Sequence, residues 1–443
     1  MHKPLYLAYL LVIFFALITL LPSYLASLPI FAFTIALGFY LSRRASKDAA
    51  ATLFSIFLIS YLLRVVIALI LYRLSFERGL SGYFYGGDDF AYGDTALRLA
   101  EAWREGVFPY LKEIKRNMSL SSTMGFYQYY LAVLMIISKD STFLPIAINC
   151  SLGALSIVVL YSITKRTFTQ KSSFGKYSSL MTTGLFAFWP SLLLWSALNL
   201  KEAPTTFFVL LITATAIKFF PTEFDSKKII KCVLYLPILL LILHRLRGRI
   251  SFFVILSIVM TYSTVALKTL LIHRGKAVKI SLFVIAAVFI FLVAVIRLQS
   301  IDNAVEVLSI HRDFRAFGDS VILPSLRLVT FGDLLRFLPT SVIISFFYPL
   351  PWHGASMAGL IAFPEMILWY LLFPFFIRGL FLLLKTERIS AYFILFFTLM
   401  YFLCLGVLDA NAGTLFRHRA VILPFAFLFI VAGMQKENIF KED

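Results

Sequence analysis

The run "ATLFSIFLISYLLRVVIALILYRL", residues 51–74, decides the class of fold. It is long enough to cross the hydrocarbon core of a bilayer as a helix, which takes about 20 apolar residues. Within it stands Arg64, and an arginine inside a membrane is costly unless it has a partner or faces a cavity. Glu365, in another apolar run, is a candidate partner for this arginine. The run therefore predicts a transmembrane helix.

Runs of this kind recur along the chain and predict about 12 transmembrane helices. Besides 51–74 they are 4–22, 25–42, 142–163, 177–198, 203–220, 229–244, 250–267, 279–297, 357–384, 389–408 and 415–433. Two shorter runs, 123–138 and 337–350, carry glutamine, tyrosine or proline and fit juxtamembrane or re-entrant helices better than spans. The sequence predicts an all-α polytopic membrane protein, with residues 1–443 forming a single transmembrane domain.

The composition points to the same class. Of the 443 residues, 60% are hydrophobic and 14% are charged, whereas a soluble domain carries about 25% charged residues. The formal charge of +18 lies in short basic clusters between apolar runs, which is typical of membrane topology rather than of nucleic-acid binding. The three cysteines lie far apart and without metal-ligand spacing, which argues against a disulfide framework.

The basic clusters also orient the chain in the cell membrane. With both termini in the cytoplasm and 123–138 not crossing, the basic loop 164–176 lies inside, in agreement with the positive-inside rule. The outer face then receives two long segments, 75–141 and 298–356, and three short turns between spans. If 123–138 crossed the membrane, loop 164–176 would lie outside. Any active site is therefore expected at the outer face, where the long polar segments gather.

The acidic stretch "YFYGGDDFAYGDTALRLAEAWREG", residues 83–106, stands in the first of these outer segments. Asp94 is a plausible N-cap for a surface helix over 95–105 that ends at Gly106, which places Asp88 and Asp89 in the turn before it. Carboxylates in a partly dehydrated pocket suit a general base. The alternative is a solvated acidic turn that only caps a helix.

The stretch "LNLKEAPTTFF" places Lys201 and Glu202 on the outer face, just before a span. Glu202 can be a functional acid on the same side of the membrane as Asp88. It can also be an ordinary first-turn acid, which the positive end of the helix dipole favours.

Two arginine groups lie on the outer face, against the topological tendency. "HRLRGR" contains Arg245, Arg247 and Arg249, and "FRHR" contains Arg417, His418 and Arg419. Guanidinium groups hold phosphate oxygens in a planar, two-pronged way, so these groups suit an anionic, lipid-borne substrate. Alternatively, they extend to lipid head groups. The outer histidines have no metal-binding spacing, so no metal site is predicted and a divalent cofactor stays open.

At this point the chain resembles a family. "GDDFAY" is similar to the Asp-Glu-x-x-Tyr signature of membrane glycosyltransferases of the GT-C fold, which include protein O-mannosyltransferases and aminoarabinose transferases. "GFYQYYLAVLMIIS", "ALSIVVLYSITKRTF", "FWPSLLLWSALNLKEAP" and "FRHRAVILPFAFLFIVAG" extend the likeness as a pattern. The resemblance implies that Asp88 is catalytic, that Tyr92 is the signature tyrosine and that Glu202 is a second outer-face acid. The chain departs from the family in two ways. Asp89 stands where the family has Glu. Two predicted spans also precede the span that leads into the acidic loop, whereas the family commonly has no span before it.

Together these features predict a transferase that moves a sugar from a polyprenyl-phosphate carrier to a glycan, lipid or protein acceptor, with inversion at the anomeric carbon. Asp88 would act as base, with Asp89 and Glu202 in orienting roles, and the substrate and its phosphate would be bound by Tyr92, Lys201, Arg245, Arg247, Arg249, Arg417, His418 and Arg419. A polysaccharide polymerase or ligase that acts on lipid-linked oligosaccharides is the nearest alternative. A transporter of lipid-linked sugars is another, but the chain has no internal repeat of the kind transporters use.

Overall fold

The computed structural model describes residues 22–84, 87–108, 125–168, 173–219, 226–272, 301–316, 320–324, 326–350, 357–384 and 389–435. Across these ranges the regular structure is helical, apart from one isolated bridge between Val321 and Asn411. The α-helical class predicted from the apolar runs is confirmed for this part of the chain.

The helices follow one another along the chain in this order: α1 Pro22–Leu25, α2 Leu28–Ala45, α3 Ala50–Glu77, α4 Asp88–Arg104, α5 Phe126–Ser138, α6 Phe143–Thr167, α7 Ser173–Phe188, α8 Pro190–Ser196, α9 Glu202–Phe219, α10 Ser226–Ile272, α11 Ile301–Asp313, α12 Phe331–Phe347, α13 Met357–Leu384, α14 Ile389–Leu408, α15 Ala412–Arg419 and α16 Leu423–Met434. The chain forms two compact units. Unit 1 contains residues 1–158 and 187–207, and unit 2 contains residues 159–186 and 208–443.

Fewer helices qualify as membrane spans than the 12 predicted. Among the described residues, four helices are long and apolar enough to cross a membrane, at Ala50–Glu77, Phe143–Thr167, Ala362–Leu384 and Ser390–Leu408. The pair α15 and α16, bent by 68° at a short break, gives a fifth if it is one span. These helices are compatible with a multi-pass membrane protein. The runs 279–297 and nearly all of 4–22 lie outside the described residues.

Proline explains part of the difference in number. The predicted span 177–198 is divided into α7 and α8 at Trp189, whose backbone is extended (φ −70°, ψ 126°). Pro190 follows, and a proline disfavours helical geometry in the residue before it. The run 123–138, predicted to be too short to cross, forms the 13-residue helix α5. At 1.5 Å per residue it spans roughly 20 Å, less than the ~30 Å of a bilayer core.

The buried arginine of α3 has partners within unit 1. Arg64 donates from Nη1 to the carbonyl of Ala187 at 3.1 Å and to the carbonyl of Ser60 at 3.2 Å, and it also bonds Ser60 Oγ. These oxygens, and not the carboxylate of Glu365 considered above, accept the hydrogen bonds of the Nη1 atom. Glu365 belongs to unit 2, where it interacts electrostatically with Arg419. The structure therefore corrects the expectation that Arg64 pairs with Glu365.

Glycines allow two helices of unit 2 to touch along their backbones. A Cβ atom at Gly379 of α13 would lie 1.8 Å from the carbonyl oxygen of Phe429 in α16. The reverse holds at Gly433, where a Cβ atom would lie 1.9 Å from the carbonyl oxygen of Phe375. Such close contact is how small residues join helices in lipid, where no hydrophobic force brings helices together. This contact fixes the α13–α16 pair.

Helix α10 is interrupted at the predicted outer turn. Arg247 has an extended backbone (φ −151°, ψ 87°) between two helical stretches. Next to it, Ser251 Oγ donates to the carbonyl of Gly248 at 2.6 Å and shares a 3.1 Å hydrogen bond with His244 Nδ1. The predicted break between runs 229–244 and 250–267 is thus present, as a local interruption at one residue.

Candidate functional site

The paired aspartates lie in the first turn of a helix, not in a turn before it. Helix α4 begins at Asp88 with Gly87 as its N-cap, so the predicted start after Asp94 is wrong by about two turns. Acidic residues in a first turn are stabilised by the positive end of the helix dipole, which explains the earlier start. Asp94 instead pairs with Arg98 one turn on, at 3.1 Å. The predicted end before Gly106 is confirmed, since α4 ends at Arg104 and Gly106 has a positive φ of 77°.

The two aspartates differ in their access to solvent. Asp89 is fully buried, and its Oδ1 accepts a hydrogen bond of 2.8 Å from the backbone N–H of Phe90. The side chain of Asp88 is only half-buried. An incoming substrate can therefore reach the carboxylate of Asp88 more easily than that of Asp89.

A glycine–tyrosine contact positions this helix. A Cβ atom at Gly93 would lie 2.0 Å from Cζ of the Tyr83 ring, so only glycine lets the ring lie against α4. Tyr83 is buried, and its ring meets Phe90 edge-on at a centroid distance of 5.9 Å. Burial raises the pKa of the Tyr83 hydroxyl, and the charges of Asp89 and Asp94 raise it further. The Tyr83 hydroxyl therefore stays protonated beside the acidic turn.

A buried hydrogen-bond network ties helix α4 to the turn that carries Lys201. Asn199 donates to the backbone carbonyl of Asp89 at 3.4 Å, and the Tyr127 hydroxyl donates to Asn199 Oδ1 at 3.1 Å. Asn149 holds the same turn by donating to the carbonyls of Leu198 and Leu200 at 2.8 and 2.9 Å. Each link is buried, so the turn has a fixed position relative to the aspartates.

Two further charged side chains are buried at this turn. The Nζ atom of Lys201 lies 4.4 Å from the ring centroid of Tyr92 and 5.8 Å from that of Tyr127, and the two rings meet edge-on at 5.5 Å. Glu202 begins α9, is 2% exposed and interacts electrostatically with Tyr127. Burial is the main reason why the pKa of the Tyr127 hydroxyl is well above its usual value, and the Glu202 charge adds to it.

These side chains form one group inside unit 1, which we call the acidic cluster and define as Asp88, Asp89, Tyr92, Tyr127, Lys201 and Glu202. Its chemistry combines carboxylates, one ammonium group and two phenols, and every member except Asp88 is buried. Titratable side chains that are buried close to other charges are common at functional sites. Of the predicted residues, Lys201 lies over the Tyr92 ring, and Asn199, in the turn before Lys201 and Glu202, bonds the backbone carbonyl of Asp89, which follows Asp88.

A second group of charges lies in unit 2, around Asp409. Asp409 is buried directly after α14, and its Oδ2 lies 2.7 Å from His418 Nδ1. Its Oδ1 accepts a hydrogen bond from Arg315 Nη1. Burial alone would raise the pKa of Asp409, but His418, Arg315 and Arg247 outweigh it and hold this pKa well below the usual range. Asp409 is therefore an anion among cations.

Two of the predicted arginines belong to this group. Arg247, at the interruption of α10, acts electrostatically on Asp409, and Arg249 acts on both Asp409 and Arg315. The Nη1 atom of Arg249 is buried without a hydrogen-bond partner among the described residues. We call Arg247, Arg249, Arg315, Asp409 and His418 the arginine cluster.

The remaining predicted arginines have other surroundings. Arg245 is exposed. Arg419 is buried, donates to the carbonyl of Tyr348 and lies 6.0 Å from the centroid of Trp369. Arg417 is buried on α15. Of the outer arginines named from the sequence, Arg247 and Arg249 are the ones that join the cluster around Asp409.

Sequence reasoning missed several residues in and around both clusters. Tyr127, Asn149 and Asn199 were not singled out because their role rests on hydrogen bonds between distant segments. The asparagine inside "ALNLKEAP" was the available signal for Asn199, since a polar residue in a short turn between spans needs a partner. Arg315 and Asp409 stood in outer segments without any motif. Among the described residues, no group of three histidine, cysteine, aspartate or glutamate side chains is arranged to hold a metal ion.

Comparison with known proteins leaves the family unassigned. No protein-family model, curated protein or solved structure matches this chain. The resemblance to membrane glycosyltransferases of the GT-C fold therefore rests on the residues quoted from the sequence.

Proposed function

We propose that this protein is an integral membrane glycosyltransferase, which moves a sugar from a polyprenyl-phosphate carrier to an acceptor hydroxyl at the outer face of the cell membrane. The acceptor is a glycan, lipid or protein. The observation that supports the proposal best is the acidic cluster, where the half-buried Asp88 begins a helix and the next residue, buried Asp89, is linked by Asn199 to the turn that carries Lys201 and Glu202.

The proposed reaction needs little acid catalysis. Asp88 accepts the proton of the acceptor hydroxyl, whose oxygen attacks the anomeric carbon of the donor sugar. The bond between that carbon and the phosphate oxygen breaks, and its electron pair leaves with the polyprenyl phosphate. Attack from the face opposite the leaving group inverts the configuration of the anomeric carbon. Asp89 and Glu202 orient the acceptor and the base, while Tyr92 and Lys201 contact the substrate.

The phosphate is proposed to bind to the outer arginines named from the sequence. The sequence offers Arg245, Arg247, Arg249, Arg417 and Arg419 together with His418 for this role. Guanidinium groups stabilise the negative charge that grows on a departing phosphate.

The proposal also includes the finer topology of about 12 spans, with cytoplasmic termini and an outer active site.

Purified protein in lipid nanodiscs tests the function. Incubation with a polyprenyl-phosphate-linked single sugar and an acceptor extract should give a new glycosidic bond, detected by mass spectrometry. Product formed only from a lipid-linked oligosaccharide would identify a polymerase or ligase instead. Movement of sugar-lipid across vesicles without any new bond would identify a transporter and overturn the proposal.

A further inference from the structure

One buried hydroxyl group in unit 1 lacks a hydrogen-bond partner. Tyr83 is 4% exposed, and its hydroxyl is buried without any partner among the described residues. A buried donor without an acceptor has lost its hydrogen bonds to water and gained nothing in exchange, which is unfavourable. Buried polar groups in proteins nearly always have a partner, so each exception requires an explanation. A ligand oxygen at this place would supply the missing acceptor.

The hydroxyl lies against one face of helix α4. A Cβ atom at Gly93 would lie 2.2 Å from the Tyr83 hydroxyl oxygen, and the Tyr83 ring meets Phe90 edge-on. Asp89 stands four residues before Gly93 in the same helix, and residues four apart lie one above the other on one side of a helix. The phenol and the buried carboxylate of Asp89 therefore share one face of α4.

The chain before α4 fixes the ring in this position. The backbone N–H of Tyr83 donates to the carbonyl of Leu80 at 2.9 Å, and Gly82 between them has a positive φ of 98°. A Cβ atom at Gly82 would lie 2.7 Å from the ring of Tyr72, so this turn also packs closely. The Tyr83 ring would have to leave α4 before its hydroxyl could reach another acceptor in the protein.

The charges around the hydroxyl decide which ligands suit it. Burial is the largest cause of the raised pKa of Tyr83, followed by Tyr72 and then by the charges of Asp89 and Asp94. The phenol therefore stays protonated and acts as a donor. Two nearby carboxylates disfavour an anion such as phosphate at this place. An ammonium group has no lone pair with which to accept the phenol proton. A neutral oxygen is the remaining choice.

A hydroxyl group of a ligand matches both side chains. It has one proton to donate and two lone pairs with which to accept. It can therefore accept a hydrogen bond from Tyr83 and donate one to the carboxylate of Asp89, a group that accepts about four hydrogen bonds in total. Carbohydrates are the ligands that present such hydroxyl groups most densely.

We propose that Tyr83 and Asp89 bind a hydroxyl group of a neutral sugar, with Tyr83 as the donor and Asp89 as the acceptor. The inference rests on the proposed transferase function for the class of ligand, and it adds Tyr83 to the residues that contact the substrate. Both residues belong to unit 1. Asp88 precedes Asp89 in the first turn of α4, so a sugar bound in this way lies close to the proposed base.

Thermal melting of the full-length protein in detergent, without sugar, tests the state of the hydroxyl. We expect Tyr83→Phe to melt about 2–4 °C above the parent, because the change removes a buried donor that has no acceptor. Tyr61→Phe is the matched control, since Tyr61 is also buried but shares a 3.1 Å hydrogen bond with Ser151 Oγ. That variant should melt below the parent. If Tyr83→Phe melts no higher than the parent, its hydroxyl already has a partner such as a bound water, and the inference is overturned.

Sugar binding, measured by NMR titration, tests the class of ligand. The probes are the methyl glycosides of glucose, galactose, mannose and N-acetylglucosamine. We expect at least one of them to bind the parent, and Tyr83→Phe to bind it about tenfold more weakly because one hydrogen bond is lost. Tyr61→Phe should bind it like the parent. The inference is wrong if no glycoside binds the parent, or if Tyr83→Phe binds as tightly as the parent does.

Monodeoxy derivatives of the glycoside that binds identify the contact itself. One derivative should bind the parent about tenfold more weakly than the full glycoside, because it leaves the Tyr83 hydroxyl without an acceptor. The loss from this derivative and the loss from Tyr83→Phe should not add, since both remove the same hydrogen bond. Additive losses for every derivative would mean that Tyr83 affects binding only through the shape of α4, and would refute the contact.

The inference and the proposed function fail separately. If the parent transfers sugar and Tyr83→Phe binds and transfers like the parent, the hydroxyl site is wrong and the transferase stands. If the parent binds a glycoside through Tyr83 but forms no glycosidic bond from a polyprenyl-phosphate-linked sugar, the hydroxyl site stands and the transferase is wrong.

Discussion

Lys201 and Tyr92 form a buried cation–π contact, in which the ammonium nitrogen lies 4.4 Å from the ring centroid. Lys201 is 7% exposed, which is unusual for a lysine unless a partner compensates its charge. The contact joins the turn before α9 to the third residue after the buried Asp89, and so it connects the two sequence motifs from which the site was predicted.

Removal of this ammonium group should destabilise unit 1. In Lys201→Met the stem of the side chain is retained, but the rings of Tyr92 and Tyr127 lose the buried ammonium group that they face. A desolvated cation–π contact contributes about 2 kcal/mol. Thermal melting of the purified variant measures the effect. Lys139→Met, at an exposed lysine after α5, is the control, and an equal melting temperature for both variants would contradict the role of the Lys201 charge.

Asp88→Asn should abolish sugar transfer. Asparagine keeps the shape of the side chain but cannot accept the acceptor proton, so the loss is expected to be on the order of 100-fold or more. Asp94→Asn is the matched control, because Asp94 lies on the same helix and pairs with Arg98 at its surface. Near-parental activity in a folded Asp88→Asn protein would remove Asp88 from the mechanism.

Gly93→Ala should distort the start of α4. The new methyl group would lie 2.0 Å from the ring of Tyr83, so the ring has to move, with an expected loss of about 1–3 kcal/mol of stability. Gly184→Ala in α7 is the opposite case, since nothing lies within 4 Å of its added Cβ atom. That change should leave stability unchanged or increase it by up to about 1 kcal/mol. Denaturation of both proteins in detergent should give shifts of different size, and Tyr83→Leu should restore part of the loss in Gly93→Ala.

Cysteine labelling tests the topology on which the outer site depends. In a cysteine-free background, Glu101→Cys should react with an impermeant thiol reagent from outside the cell, and Lys176→Cys should react only after permeabilisation. Both side chains are exposed, so access to the reagent depends on the side of the membrane. The reverse pattern would place loop 164–176 outside and would mean that 123–138 crosses the membrane.

Acid should destabilise unit 2 through Asp409. Its folded pKa is depressed, so its contribution to stability is present above the pKa of an unfolded aspartate, about 3.9, and is lost as the pH falls through that value toward the folded one. The Asp409→Asn variant lacks this pH-dependent contribution to stability. We expect the melting temperature of the parent protein to fall more steeply below about pH 4 than that of the variant, and parallel curves would contradict the assignment.

The class of fold was accessible from the sequence because long apolar runs leave few alternatives to membrane helices. The predicted helix boundaries were wrong where single residues determine where a helix starts or ends. Trp189 and Pro190 divide one predicted span, and Asp88 starts a helix that the capping pattern had placed at Asp94. In both cases a local preference that the sequence carries, the effect of proline or of a first-turn acid, was given too little weight.

The candidate site was only partly accessible for a different reason. Asp88 and Glu202 stand in recognisable motifs, whereas Asn199 and Tyr127 act through hydrogen bonds between segments 72 residues apart. Asp409 has no motif at all, and its importance follows from the cations that the fold gathers around it. Contacts between distant segments produce no repeating pattern in a single sequence, so the pattern of residues does not predict them.

The two carbonyl partners of Arg64 are made at different times during synthesis of the chain. Its hydrogen bond to the carbonyl of Ala187 joins positions 123 residues apart, a length that takes roughly 6 to 25 s to translate at ~5–20 residues per second. As a candidate membrane span, α3 would enter the bilayer during that interval with its arginine. The cost, ~2.5–3.5 kcal/mol at a helix centre, is smaller than the gain from its many Leu, Ile, Val and Phe residues at about 0.3–0.6 kcal/mol each. Ser60, one turn earlier on the same helix, is the acceptor that the nascent chain already carries, and it shields the guanidinium until the second one arrives.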